Sequence, residues 1–244
     1  MSNEQATVAE EEYLQIIFWL QEAGLPMTGA NVARAMQVSA PTVHEMIGRL
    51  EADGYVTRDD EGASRGAGKS LAFTDTGREH AENIVRRHRL IERFLTDVFD
   101  IPWDQVHEEA ERLEHWMSPV VEERMLKAIG DAKTCPHGHP ISPGRREAAV
   151  PLADVEQGAR VRVIRFENEA EDLLHYLMES GLTPGLEGTL VESGEEEVAI
   201  DADGTRFSVT RSVAETVSVS ADPSPPTRVA LPEQLVLAKE HWGR

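Results

Sequence analysis

Cysteine is nearly absent: Cys135 is the only one in 244 residues, so no disulfide can form within the chain. That leaves the thiol as a metal ligand, a nucleophile or a filler. Long apolar runs are missing too, none approaching the ~18 residues that a membrane span needs. The opening MSNEQATVAEEEYL carries acid where a signal peptide carries base and then an apolar stretch, so a cytoplasmic protein without membrane association is expected. Aromatics make up 5% and hydrophobic residues 40%, an ordinary balance for a soluble chain with room for one large domain or two to three small ones. Lysine is scarce, with only Lys69, Lys127, Lys133 and Lys239, and the formal net charge is −20. Such a balance excludes indiscriminate phosphate binding, which rests on Lys and Arg. It matches the composition of halophilic proteins, where salt screens self-repulsion and a DNA-binding surface must depend on base contacts and fit. An acidic protein that never meets DNA has the same composition, so function must be read from local pattern.

The most informative pattern is HEEAERLEH, in which His107, Glu111, Glu114 and His115 follow at spacings of four, three and one. At about 100° per residue their Cβ atoms share one sector of a helix. A solvated charged face tolerates this spacing but gains nothing from placing both histidines beside two carboxylates. His88 and Glu92 in RRHRLIERFL repeat the i, i+4 geometry one helix earlier. Cys135, His137 and His139 lie in TCPHGHPISPGRREAAV, a run of turn formers. C-x-H-x-H has zinc-like character but lacks paired C-x-x-C spacing, so it needs partners from elsewhere.

Upstream, a helix is predicted from about Ala9 to Glu22, with Tyr13, Ile16, Ile17 and Leu20 inward and Gly24 and Pro26 ending it. Thr28 opens a short helix, Val38 and Ser39 make a turn, and Ala40 to Asp53 form a second helix with Pro41 in its first turn. This is the grammar of a helix-turn-helix. YVTRDD and LAFTDTG then read as two strands around a glycine-rich wing with Arg65 and Lys69 at its tip. A long amphipathic helix from Thr76 to about Phe99 follows, then helices from near Pro102 and from Ser118. Leu90, Phe94, Leu95, Val98, Leu113, Trp116, Val120 and Met125 supply an apolar surface for a core or a dimer interface. After the turn-rich linker, the alternation from Pro151 onward predicts a small β-barrel of about seventy residues with one inserted helix over EAEDLLHYLMESGL. The tail from Pro223 begins proline-rich.

These segments, EEYLQII, APTVHEMIGRLEADGYV, RRHRLIERFLTD, VHEEAERLEHWMS, CPHGHPI and GLTPGLEG, resemble the three-domain members of the diphtheria toxin repressor family over about residues 9 to 220. The resemblance implies a mainly α fold with β: a winged helix-turn-helix over 1–75, a helical metal-binding and dimerisation domain over 76–133, a linker over 134–150, an SH3-like barrel over 151–221 and a tail over 222–244. It also implies a metal-dependent repressor, not an enzyme, acting as a homodimer on palindromic double-stranded operator DNA without a small organic substrate. Iron-responsive members place a methionine and a cysteine at the positions of Glu12 and Glu111, whereas manganese regulators carry acids at both. The regulatory site is then Glu12, Glu111, Glu114 and His115, which His88 can also join. Hard carboxylates suit Mn²⁺ best, with Fe²⁺ possible and Zn²⁺ tolerated at a thiolate-containing second site. For that second site the family offers two patterns. One uses His88, Glu92 and His107 with barrel groups that fall here on Ala170 and Leu173, neither a ligand. The other joins Glu92 to Cys135, His137 and a barrel acid, for which Asp172 is placed. Operator contacts correspond to Ser39, Pro41, Thr42, His44 and Glu45, with Thr28, Arg65 and Lys69 as further candidates. A carboxylate metalloenzyme and a metal-independent winged-helix regulator are the alternatives.

Overall fold

The computed structural model describes residues 6–59, 70–142, 144 and 146–222. Arg65 and Lys69 fall outside the described residues, as does the tail from Pro223. Contacts divide the chain into two units, one formed by residues 1–148 with 165–184 and the other by 149–164 with 185–244.

Helix α1, Val8–Glu22, opens with a capping box in which the Thr7 N–H donates to Glu10 Oε2 at 2.8 Å. Its buried side chains Tyr13, Leu14, Ile17 and Phe18 recur at helical spacing. Helix α2, Gly29–Met36, ends on Gln37 in the left-handed region, and α3, Ala40–Ala52, starts with the Thr42 N–H donating to Ser39 Oγ at 3.3 Å. Val32, Val43, Ile47 and Leu50 turn inward from these two helices. Strands β1, Val56–Asp59, and β2, Ser70–Phe73, pair antiparallel with Val56 opposite Phe73, which gives the wing its base. The predicted winged helix-turn-helix is therefore present.

Helix α4, Asp75–Phe99, is the longest element. Thr74 caps it, accepting from the Gly77 N–H at 3.0 Å while donating its own hydroxyl proton to the Gly54 carbonyl at 2.6 Å. A Cβ on Gly77 would stand 1.8 Å from the Tyr55 carbonyl oxygen, so glycine alone permits the first turn of α4 to close on the wing. Ala81, Ile84 and Val85 on its first half complete the core of the DNA-binding portion, whereas Leu90, Ile91 and Leu95 pack with Val106, Ala110 and Met117 in a second core. The helix expected from near Pro102 begins only at α5, Val106–Glu114, because Trp103 to Gln105 form a turn in which Asp104 is buried. Helix α6, Pro119–Ala128, follows its Ser118 cap. Also in this unit is α7, Glu171–Glu179, with Leu174 and Leu177 buried and His175 Nδ1 3.0 Å from Asp104 Oδ2. The helix expected as an insertion in the barrel thus packs with the first unit by its contacts.

The second unit is built around a six-stranded sheet. Strands β3, Val150–Pro151, β4, Arg160–Phe166, β5, Glu187–Ser193, β6, Glu197–Ala202, β7, Thr205–Thr210, and β8, Val217–Asp222, are ordered β3-β8-β4-β5-β6-β7. Val161, Val163, Leu190, Val198, Ile200, Val209 and Val219 form its buried face, the period-two pattern legible in the sequence. No described helix is long and apolar enough to cross a membrane.

Candidate metal centre

Two groups of metal-ligand side chains, sharing Glu92, come together inside the first unit: His88, Glu92, His107 and Glu169, and Glu92, Cys135 and His137. The first half of this arrangement follows from helix geometry. His88 and Glu92 lie one turn apart on the buried face of α4, and His107 meets them from the facing side of α5. Glu92 Oε1 is 3.0 Å from His88 Nε2, 3.2 Å from His107 Nδ1 and 3.3 Å from His137 Nδ1. His88 Nε2 and His107 Nδ1 are 3.1 Å apart, and Glu169 Oε2 stands 3.1 Å from His107 Nδ1. Donors bonded to one cation at about 2.0–2.2 Å and at right angles lie about 3 Å apart, so this set fits a divalent ion.

Each imidazole is also held by its other nitrogen, as metal-binding histidines usually are. His88 Nδ1 is 2.6 Å from Glu114 Oε2, His107 Nε2 faces Glu111 Oε1 at 3.5 Å, and His137 Nε2 donates to the Trp103 carbonyl at 2.7 Å. The last bond leaves the buried His137 Nδ1 pointing at the carboxylates, where it makes no hydrogen bond, and Glu92 Oε2 is likewise buried without one. Buried polar atoms left unpaired in this way are costly unless something fills the gap. His139, absent from the expected ligand sets, donates from Nε2 to the Phe166 carbonyl at 2.6 Å and stands 3.1 Å from Glu169 Oε1, so it orients that carboxylate.

Electrostatics favour charge on the imidazoles and on Glu92 but not on the thiol. Burial opposes a charge on His88, but Glu92 and Glu114 overcome it and push its pKa up to about 9. His107 and His137 are raised against burial as well, the first by hydrogen bonds to Glu111 and Glu169 and the second by the charges of Glu92 and Glu169. Burial would raise Glu92, yet the charges of His137 and His88 hold it well below the usual carboxylate range. Burial, reinforced by Glu92, pushes the Cys135 thiol up to about 11.

The structure brings together six of these groups but treats the remaining expected ligands differently. Asp172 is exposed on the first turn of α7, and the acid that reaches Glu92 and His107 is Glu169, just ahead of that helix. Glu114 and His115 are in contact, His115 Nε2 lying 3.4 Å from Glu114 Oε1, while Glu111 is half exposed beside His107. Glu12 points to solvent; its neighbour Glu11 is buried and stands 2.8 Å from His115 Nδ1. Gln15, one turn beyond Glu11, donates to Glu114 Oε2 at 3.2 Å. On the recognition helix Ser39, Pro41, Thr42, His44 and Glu45 are all exposed, whereas Thr28 is buried and spends its hydroxyl accepting from the Asn31 N–H.

Comparison with known proteins agrees with this architecture. The iron dependent repressor N-terminal DNA binding domain matches residues 6–63, the iron dependent repressor metal binding and dimerisation domain residues 74–143, and the FeoA domain residues 150–221. The chain is similar to the iron-dependent repressor IdeR of Mycobacterium tuberculosis, at 34% identity over 78% of this chain and 91% of that one. It is 31% identical to the diphtheria toxin repressor of Corynebacterium diphtheriae over 86% of this chain and 95% of that one. The alignment with the diphtheria toxin repressor of Corynebacterium jeikeium, 38% identical, spans 60% of this chain and 58% of that protein. Among solved structures, a manganese-dependent transcriptional repressor in complex with manganese superposes with a TM-score of 0.75 and 30% identity over 87% of this chain and all of the other. IdeR of T. acidophilum gives a TM-score of 0.72 at 28% identity, covering 90% of this chain and 100% of that one. With a DNA-binding domain, a metal-binding and dimerisation domain and relatives matched over nearly their whole length, the chain belongs to the diphtheria toxin repressor family of iron- and manganese-dependent transcriptional repressors.

Proposed function

We propose that this repressor responds to manganese, binding a palindromic operator as a cytoplasmic homodimer when Mn²⁺ is plentiful and so controlling genes of metal uptake. The observation that carries the reading is the residue at 111: a carboxylate, where the family's iron-responsive members have a thiolate, leaves the regulatory site with mainly oxygen donors. The solved repressor with manganese bound is in keeping with it, whereas IdeR of Mycobacterium tuberculosis is an iron-dependent repressor. Glu111, Glu114 and His115 form the regulatory site with Glu12, the α1 carboxylate that closes it, and Glu11 orients His115 through its Nδ1. His88, Glu92, His107, Glu169, Cys135 and His137 form the second site, in which Zn²⁺ is also accommodated through the thiolate.

Bound, the cation supplies a concentrated positive charge that offsets repulsion among the carboxylates. Glu12 belongs to α1, which packs into the core of the DNA-binding portion, and Glu111 to His115 belong to α5 and its end, so drawing them together ties the winged helix to the dimerisation helices. His88 couples the two sites, since its Nδ1 is bonded to Glu114 while its Nε2 faces Glu92. The state with the tie made is the one whose paired recognition helices present Ser39, Pro41, Thr42, His44 and Glu45 to successive major grooves. Fluorescence-anisotropy titration of labelled operator DNA in Mn²⁺, Fe²⁺ and chelator tests the reading. Tight binding in Mn²⁺ and loss with chelator are expected; binding indifferent to chelator, or Fe²⁺ active at lower free concentration than Mn²⁺, defeats it.

A further inference from the structure

The second site offers six donor residues in two groups, each group close enough to hold one cation. His88, His107 and Glu169 lie on one side of Glu92, and Cys135 and His137 make a separate group with it. Glu92 is placed to serve both groups: its Oε1 is within 3.0–3.3 Å of His88, His107 and His137, and its Oε2 is buried and makes no hydrogen bond, which leaves that oxygen for a second cation. His137 Nδ1, the other orphan, belongs to the Cys135 group, and because Nε2 donates to the Trp103 carbonyl, Nδ1 is the nitrogen turned toward a cation. We propose that this site takes two divalent cations at once, bridged by the Glu92 carboxylate, one held by His88, His107 and Glu169 and the other by Cys135 and His137.

Charge supports the pairing. Glu92, Glu169 and a Cys135 thiolate bring three negative charges, with Glu114 a fourth against His88, and two divalent cations balance them. Carboxylate-bridged metals about 3.5–4 Å apart are a recurrent arrangement in proteins. The donors differ in kind: imidazole and carboxylate on the first cation suit Mn²⁺, and thiolate with imidazole on the second suits Zn²⁺. The site is thereby built to hold a mixed Mn/Zn pair, with the zinc position a fixed support for the manganese position.

The proposal rests on the second site binding metal at all, and counting metals separates the two questions. The full chain, loaded with Mn²⁺ and Zn²⁺ together and dialysed, is weighed by native mass spectrometry. Three cations per chain are expected, one regulatory and two at the second site. Cys135→Ser and His107→Ala are each expected to retain two, losing zinc and manganese respectively, and Glu92→Gln to retain one. Two cations in the parent chain, with Cys135→Ser and His107→Ala both reducing it to one, mean a single shared ion and overturn the pair while leaving the second site intact. One cation in all four proteins overturns the second site itself. Loading with Co²⁺ guards against misfolding of the Cys135 variant: the parent chain should show thiolate-to-cobalt absorption that His107→Ala keeps, and its absence from the parent also refutes the pair.

Discussion

In the proposed regulatory site Glu111 weighs most on the chemistry, because a carboxylate there in place of a thiolate exchanges soft for hard ligation. Glu111→Cys would install a thiolate on the same turn of α5 and should reverse the preference, so that operator binding half-saturates at lower Fe²⁺ than Mn²⁺ in the anisotropy titration. Glu11 and Glu12 offer a second contrast. Glu12→Ala should abolish Mn²⁺-dependent operator binding, whereas Glu11→Ala, which removes only the partner of His115 Nδ1, should cost roughly 10- to 100-fold in metal affinity. His88 contributes to the pH dependence of the fold, in the same direction as His107 and His137. Its folded-state pKa of about 9 lies above the ordinary 6.5, so its stabilisation is complete below about pH 6.5 and is lost as pH rises through about 9. Thermal melts of the chelated protein should therefore fall across that window, while Mn²⁺ affinity rises over it as protons cease to compete. Helical spacing made His88, Glu92 and His107 legible in the sequence, since residues one turn apart on an amphipathic helix must share its face. Glu169 was not legible: it sits in an irregular segment ahead of α7, and only tertiary packing of that helix against the Asp104 turn delivers it to Glu92. Nor can a run of three acids, Glu10 to Glu12, announce which member faces His115.

At the scale of elements, α4 and α1 join the DNA-binding portion to the metal centre. One α4 face changes partner midway, from Ala81, Ile84 and Val85 in the first core to Leu90, Ile91 and Leu95 in the second. A helix of this length is about 37 Å long and stiff, so its two halves move together. Its attachment to the wing rests on Gly77, which no periodicity argument marks. Gly77→Ala would drive a methyl into the Tyr55 carbonyl and should destabilise the fold by about 1–3 kcal/mol in urea unfolding, with metal binding retained by the folded fraction. The end of α1 is fastened differently. Buried Arg89 on α4 donates to both oxygens of Glu22 and, at 3.1 Å, to the Pro140 carbonyl, while Arg146 reaches the Glu22 carbonyl and Glu167. Breaking a buried ion pair leaves an uncompensated charge, so Glu22→Ala should cost about 3–5 kcal/mol, far more than the loss of any exposed pair such as Arg112 with Glu108. Element boundaries were readable from Ser39, Pro41 and Ser118 because caps are local chemistry, whereas α4 starts at Asp75 on its Thr74 cap, a residue ahead of the Thr76 start expected. The delayed start of α5 was not readable, because the burial of Asp104 depends on a helix some seventy residues away.

For the whole molecule, an apolar patch and the net charge act in opposite directions on assembly. Trp116 is 81% exposed, and Val120 and Leu113 nearby in the segment that matches the metal binding and dimerisation domain are also open to solvent. A net charge of −20 repels a second copy and opposes compact folding alike, with few lysines to offset it. Salt relieves both: the screening length falls from about 10 Å at 0.1 M to about 3 Å at 1 M, and apolar contacts are not screened. Melting temperature and dimer fraction, the latter by analytical ultracentrifugation, should therefore both rise with KCl from 0.1 to 1 M, and Trp116→Glu should remove the dimer at either concentration. Operator binding moves the other way, since phosphate contacts release counterions and weaken with salt. A chain this acidic, with the uncharged or acidic Ser39, Thr42 and Glu45 beside His44 exposed on α3 and its cap, neutralises few phosphates, so its loss of affinity per decade of salt should be shallow. A steep slope, or a melting temperature that falls as KCl is added, would show that charge repulsion does not govern this fold.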